Sequence, residues 1–202
     1  MIQHKSDFKI SSPQDIDTFK NSIGKTDIVH LDLKDSKLEK NQFIEIFTKL
    51  AETKKKDFSL DLANTEMEDE KIEAFVKCFD SWDSLKNLRI NFSNMKFSET
   101  QFSKILDSVQ NLKSLEKLQM NLKNVNLNRK MRTRLEKLFE NLPGIKELAI
   151  NTKSSTVTEE DVKKINDIIR SFPRYVHWHD FPTLYPSHFC SWHQHGDWPM
   201  LL

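Results

Sequence analysis

The 202-residue chain has only three glycines and two cysteines. Glycine averages roughly 7% of soluble proteins, so a glycine-rich loop cradling a phosphate has almost no material to be built from. Two cysteines, Cys78 and Cys190, cannot make a disulfide framework, and a reducing, intracellular compartment is the natural reading. No apolar run approaches the roughly 18 residues of a membrane span, so no membrane insertion is expected. A dominant sign of charge is missing too. Thirty-one Lys+Arg against 30 Asp+Glu leave +1, so no global field draws in nucleic acid or an anionic membrane surface. Residues 1–5 show neither an apolar secretory core nor the Arg/Ser-rich pattern of a transit peptide, and no leader is expected. With 37% hydrophobic and 30% charged residues, the rest of the composition is that of an ordinary globular chain.

What the sequence does have is a period. Leu85-Lys86-Asn87-Leu88-Arg89-Ile90-Asn91-Phe92 returns as Leu115 to Leu122 and again as Ile145 to Thr152, each step being 30 residues (88 to 118 to 148). Backward, Phe58-Ser59-Leu60-Asp61-Leu62 and Val29-His30-Leu31-Asp32-Leu33 stand in the same register, which makes five units. Forward, Phe172-Pro173 to Trp178 aligns with Leu142-Pro143 to Leu148, predicting a degenerate sixth strand. Upstream, Phe8-Lys9-Ile10 and the spacing Ile16, Phe19, Ile23 predict a capping strand and helix over 1–25.

Inside each unit the apolar period changes from two to three or four, the change that separates strand from helix. Ser98-Glu99-Thr100-Gln101 has the form of a capping box, and Phe102, Ile105, Leu106 and Val109 follow on one helical face. A single strand-plus-helix unit cannot cover its own apolar face, so the units must stack. Strand side chains turned away from the core then form columns: His30, Ser59, Arg89, Gln119, Ala149, and Asp32, Asp61, Asn91, Asn121, Asn151. The asparagines predict either a stacked amide ladder or a polar partner surface, since large aromatic anchors are absent.

The pattern L-x-x-L-x-L-x-L, a short loop and a helix every 29 to 30 residues resembles the leucine-rich repeat family, in its ribonuclease-inhibitor-like class, and the Asn- and Lys-rich arrays of ciliate proteins. The resemblance covers about residues 26–180. It implies an α/β solenoid, an arc with parallel strands on the concave face and helices on the convex face, and partner binding on the concave side. The family usually has an Asn three positions after the last strand leucine, bonding backbone in the loop. Ser36, Thr65, Met95 and Val125 stand there instead. Asn64, Asn94 and Asn124 fall one residue earlier, and their even spacing implies the same task in a shifted register.

Residues 181–202 read as an extended aromatic, His- and Pro-rich C-terminal tail. Its Tyr185, Phe189, Trp192 and Trp198 predict an anchor on a neighbouring protein or a cover for the last repeat. His188, Cys190, His193 and His195 are suitable zinc donors, but their spacing matches no common zinc module. Arg129, Lys130, Arg132 and Arg134 open a helix, where cations oppose the dipole, and suggest an acidic partner or an RNA backbone. Lys54-Lys55-Lys56 are expected at a helix end, and Cys78 in the core.

No nucleophile with a base, no paired carboxylates and no phosphate loop appear, so the chain is read as non-enzymatic, with no cofactor and no small-molecule substrate. The leading reading is a protein–protein interaction or structural accessory subunit of a multi-protein complex. A zinc site in the tail and an RNA-binding accessory role are the alternatives. Cytoplasm or cilium is the expected location, with the mitochondrion left open.

Overall fold

A computed structural model describes residues 5–142 and 144–178. The elements alternate: β1 (Lys5–Lys9), α1 (Pro13–Ser22), a 3-10 turn (Ile23–Lys25), β2 (Ile28–Asp32), α2 (Lys40–Ala51), β3 (Asp57–Asp61), α3 (Asp69–Asp80), β4 (Asn87–Asn91), α4 (Glu99–Gln110), β5 (Lys117–Asn121), α5 (Arg129–Glu140), β6 (Glu147–Asn151), α6 (Glu159–Ile169) and β7 (Arg174–Trp178). The seven strands form one open parallel sheet in chain order. Each strand advances one place along the sheet, so every helix lies on the same side.

The register is set by the apolar period. Val29, Phe58, Leu88, Leu118 and Leu148 are cross-strand neighbours, as are Leu31, Leu60, Ile90, Met120 and Ile150. All ten are buried against the helices. A slip of one residue would send each set to the opposite face. Helices need about 8–10 Å per neighbour and strands about 4.8 Å, so the stack bends toward the strands and makes them the concave layer.

The core is most aromatic in the central units. Phe43 stacks on Phe47 at 4.4 Å, Phe47 meets Phe75 edge-on at 5.6 Å, and Phe75 meets Phe79 at 4.9 Å. Trp82 is fully buried against Phe58, and its Nε1–H donates to the Thr53 carbonyl at 2.7 Å. Cys78 sits in this layer as expected, its thiol donating to the Phe47 carbonyl. The caps also follow the sequence: Ser98 Oγ accepts from the Gln101 N–H at 3.1 Å, and Gln101 Oε1 accepts from the Ser98 N–H at 2.9 Å.

Two expectations change. The degenerate last strand forms, but Leu148 faces Tyr175 and Trp178 faces Asn151. It therefore sits three residues away from the proline-based alignment. The cause is local: α6 has 11 residues where α5 has 12, and four residues join α6 to β7 where six join α5 to β6. The second change concerns Lys54–Lys56. Helix α2 ends at Ala51, and Lys55 lies in the following connection, 1% exposed. Its Nζ donates to the Ile23 and Thr26 carbonyls, both at 2.8 Å, tying the N-terminal cap to the second unit.

Candidate protein-binding face

The strands present three columns of side chains on the concave layer. The last of them, Asp32, Asp61, Asn91, Asn121 and Asn151, has a structural task. In each, Oδ1 accepts from the backbone N–H two residues on: Lys34 at 3.0 Å, Ala63 at 2.9 Å, Ser93 at 3.1 Å, Lys123 at 3.1 Å and Lys153 at 3.0 Å. This is an Asx turn repeated five times, and either Asp or Asn supplies the acceptor. Across the strands, Asn91 Nδ2 donates to the Asp61 carboxylate at 3.0 Å. The residues expected to form an amide ladder or a binding surface first of all turn the chain out of each strand.

That leaves a different role for the loop asparagines. Asn64, Asn94 and Asn124 have φ of 59°, 61° and 59°, with Asp35 and Ser154 at 55° and 53° in the equivalent places. Left-handed backbone is reached most cheaply by Gly, Asn and Asp, and with three glycines in the chain the last two do most of this work. Each turn closes with an N–H to carbonyl bond, as from Thr65 to Leu62 at 3.0 Å and Met95 to Phe92 at 3.2 Å. The side-chain amides reach the next unit: Asn64 donates to Asp35 at 2.7 Å, and Asn124 to Asn94 at 2.6 Å. The expected side-chain bond to loop backbone is therefore made by the strand-end column, while these asparagines supply backbone conformation.

The middle column changes character along the arc. His30, Ser59 and Arg89 are half-buried, whereas Gln119 is 7% and Ala149 6% exposed. Beyond them Val176 is half-buried. The first column, which sequence reasoning passed over, carries two ion pairs. Arg89 Nη1 meets Asp57 at 2.8 Å, with Asn87 on the other Asp57 oxygen at 3.0 Å, and Lys117 meets Glu147 at 2.8 Å. Positions 57, 87, 117 and 147 lie two residues before the middle column, so the same period could have found them. Arg89 is thus engaged within the sheet. The accessible part of the concave face is polar, spans β1 to β4 and includes Asp7, Lys9, His30, Ser59 and Asp61.

The basic run on α5 is largely compensated. Lys130 pairs with Glu99 at 3.0 Å, Arg132 with Asp161 at 2.7 Å, and Arg134 with Asp107. Three of the four named cations thus face carboxylates of neighbouring helices, leaving less charge for a phosphate backbone than the sequence alone promises. Tyr185, His188, Phe189, Cys190, Trp192, His193, His195 and Trp198 lie outside the described residues. Among the described residues no cluster of three or more His, Cys, Asp or Glu is arranged to hold a metal, and no helix is long and apolar enough to cross a membrane.

No protein-family model matches the sequence, and no curated protein matches it. Among solved structures, the chain is similar to the tropomodulin C-terminal domain of Caenorhabditis elegans, with a TM-score of 0.58 at 12% identity, over 77% of this chain and 92% of that one. The fold is an α/β solenoid of leucine-rich-repeat type.

Proposed function

We propose that this chain is a non-enzymatic protein-binding scaffold, a structural or accessory subunit of a larger assembly, that meets its partner through the concave face of β1 to β4. Folds of this type commonly bind proteins, and the 29–30-residue period is similar to that of ribonuclease-inhibitor-like repeats. One observation carries the reading. The core and much of the convex layer are completed within the chain, by apolar packing and by helix-to-helix ion pairs such as Lys40–Glu70 and Lys104–Glu73. Half-buried polar side chains on β2 to β4 remain in a concave layer, and concavity favours recognition. An intracellular reducing compartment, cytoplasmic or ciliary, suits a chain whose Cys78 is a buried free thiol.

The test is co-purification of the tagged full chain from its native cell beside a Ser59→Glu variant. Ser59 is small, half-buried and flanked in register by His30 and Arg89, so the added bulk and charge stand in the open face without entering the core. The variant is expected to lose the partner while keeping the wild-type melting temperature. Equal recovery of the same partner by both proteins would place binding elsewhere.

A further inference from the structure

The repeat supplies its own control for surface charge, because α3 to α6 begin 30 residues apart and hold equivalent positions. On α5, positions 129, 130, 133, 134 and 137 form one slanting stripe of i, i+4 and i+8 neighbours. They hold Arg129, Lys130, Thr133, Arg134 and Lys137, a count of +4. The same five positions count −2 on α3, where Lys77 stands against Asp69, Glu70 and Glu73, and −1 on α4, where Lys104 stands against Glu99 and Asp107. On α6 they count −1, Lys163 and Lys164 against Glu159, Glu160 and Asp167. The five α5 side chains line an open groove of about 230 Å³ on the convex surface. Helix stability does not account for this stripe: like charges repel, and Arg129 and Lys130 stand in the first turn, where cations oppose the dipole. Packing between units accounts for two of the four. Lys130 is held by Glu99 and Arg134 by Asp107, both on α4. Arg129 and Lys137 are exposed and form no ion pair among the described residues, Glu160 feeling Arg129 only through space.

We propose that this stripe is a second docking surface, on the convex side, for an acidic segment of a partner protein, with Arg129 and Lys137 as its anchoring cations. The dimensions select a narrow occupant. Eight residues separate the two anchors, about 12 Å along the helix axis, and an extended strand sets side chains four residues apart on one face about 13 Å from each other. Neighbouring helices stand roughly 8–10 Å away. They bring Glu99 and Asp107 to one side of α5 and Glu160 and Asp161 to the other. The positive band is therefore one helix wide. Two carboxylates of an extended segment fit within it, whereas a nucleic acid that lays roughly 6–10 phosphates on cations runs onto the flanking acids. Between the anchors, the exposed Thr133 hydroxyl donates to a carboxylate or accepts from a backbone N–H.

The surface is separate from the concave face and is tested without the native partner. The probe is a fluorescent peptide of ten glutamates, titrated with the full chain and followed by anisotropy in about 0.05 M and about 0.2 M salt. Binding is expected at the lower salt and a marked loss at the higher. The double variant Arg129→Glu with Lys137→Glu is expected to weaken it at least about tenfold, since it sets like charges against the peptide. Arg129→Glu puts an acid where the helix dipole favours one, so this variant should fold with the wild-type melting temperature. A second double variant, Lys25→Glu with Lys77→Glu, changes the net charge equally at exposed cations off the stripe. It and Ser59→Glu are expected to bind the peptide as the wild type does. Equal weakening by the two double variants would reduce the effect to the field of the whole molecule and overturn the proposal. So would unchanged binding by the Arg129/Lys137 variant, or no binding at the lower salt. An oligouridylate of ten nucleotides that binds more tightly than the peptide, and is released by the same Arg129/Lys137 reversal, would assign the stripe to RNA and overturn it as well.

Discussion

The five left-handed residues between strand and helix show why a glycine-poor chain still turns sharply. At Asn124, φ is 59° and the side chain is exposed, so water replaces its bond to Asn94 at little cost and the residue's value lies mainly in its backbone. Asn124→Gly is expected to be near neutral. Asn124→Val is expected to cost about 1–2 kcal/mol in urea unfolding, since a β-branched residue resists that region. If the two variants are equally stable, the conformational account of this loop is wrong. Asn121 makes the contrasting case, 4% exposed with Oδ1 on the Lys123 N–H. Asn121→Ala leaves that donor unpaired and is expected to cost about 1–3 kcal/mol. Lys55 adds a pH dependence. Burial pushes its pKa down to about 8 from 10.5, with Asp27 opposing. Below about pH 8 folded and unfolded chains both hold the proton, and the whole cost of the buried ammonium is carried. Between 8 and 10.5 only the unfolded chain holds it, so stability rises with pH. Relative to a Lys55→Met variant, the wild type should gain about 2–3 kcal/mol between pH 7 and pH 10.5. Parallel pH profiles for the two proteins would contradict this.

At the level of elements, much was legible in the sequence, and for a physical reason. Strand and helix have different apolar periods, so the switch from Leu88-x-Ile90-x-Phe92 to Phe102, Ile105, Leu106 and Val109 located β4 and α4 directly, and Ser98 marked their boundary. The strand-end column was legible as a column but not as a device. A two-residue alternation says which way a side chain points, whereas the bond from Asn91 Oδ1 to the Ser93 N–H depends on the turn that follows. Lys55 was hidden because a three-lysine run reads as solvated surface, and only the arrival of the Ile23 and Thr26 carbonyls makes burial of the middle one favourable. The shift of β7 was hidden as well. Pro173 matches Pro143 in sequence, but α6 is shorter and its connection is two residues tighter. Ion pairs between units invite the opposite error, that of counting too much. Glu116 bridges Lys86 at 2.9 Å and Lys146 at 2.7 Å, and these bonds hold its carboxyl down at about 2. All three groups are partly or well exposed, so solvent screens the bridge, and Glu116→Gln is expected to leave the urea unfolding midpoint nearly unchanged in about 0.15 M salt. A much larger loss would mean that these bridges, rather than the core beneath them, hold adjacent units together.

For the whole molecule, the question is whether the seven strands and six helices of the described residues open as one body or unit by unit. A repeat array is stabilised by each unit and by its interfaces with the next, so cooperativity depends on interfaces strong enough that no unit opens alone. Here the aromatic series runs across them: Phe47 of α2 against Phe75 of α3, Phe75 against Phe92 beyond β4, and Phe58 of β3 against Trp82 after α3. Burying such rings is worth about 3–5 kcal/mol each by the cost of truncation to alanine, large against a total stability of about 5–15 kcal/mol. Local opening at α3 should therefore cost nearly as much as opening the chain. Cys78 reports on this directly. It lies at 0% exposure in α3, and burial pushes its thiol well above the ordinary range, so the native state presents no thiolate. In a Cys190→Ser chain, its alkylation should be slow in water. The rate should rise with urea along the same slope as the global unfolding equilibrium. A rate that is fast in water and insensitive to urea would show α3 detaching by itself. The central units would then be separable modules, and the arc could change its curvature at that point when it takes a partner.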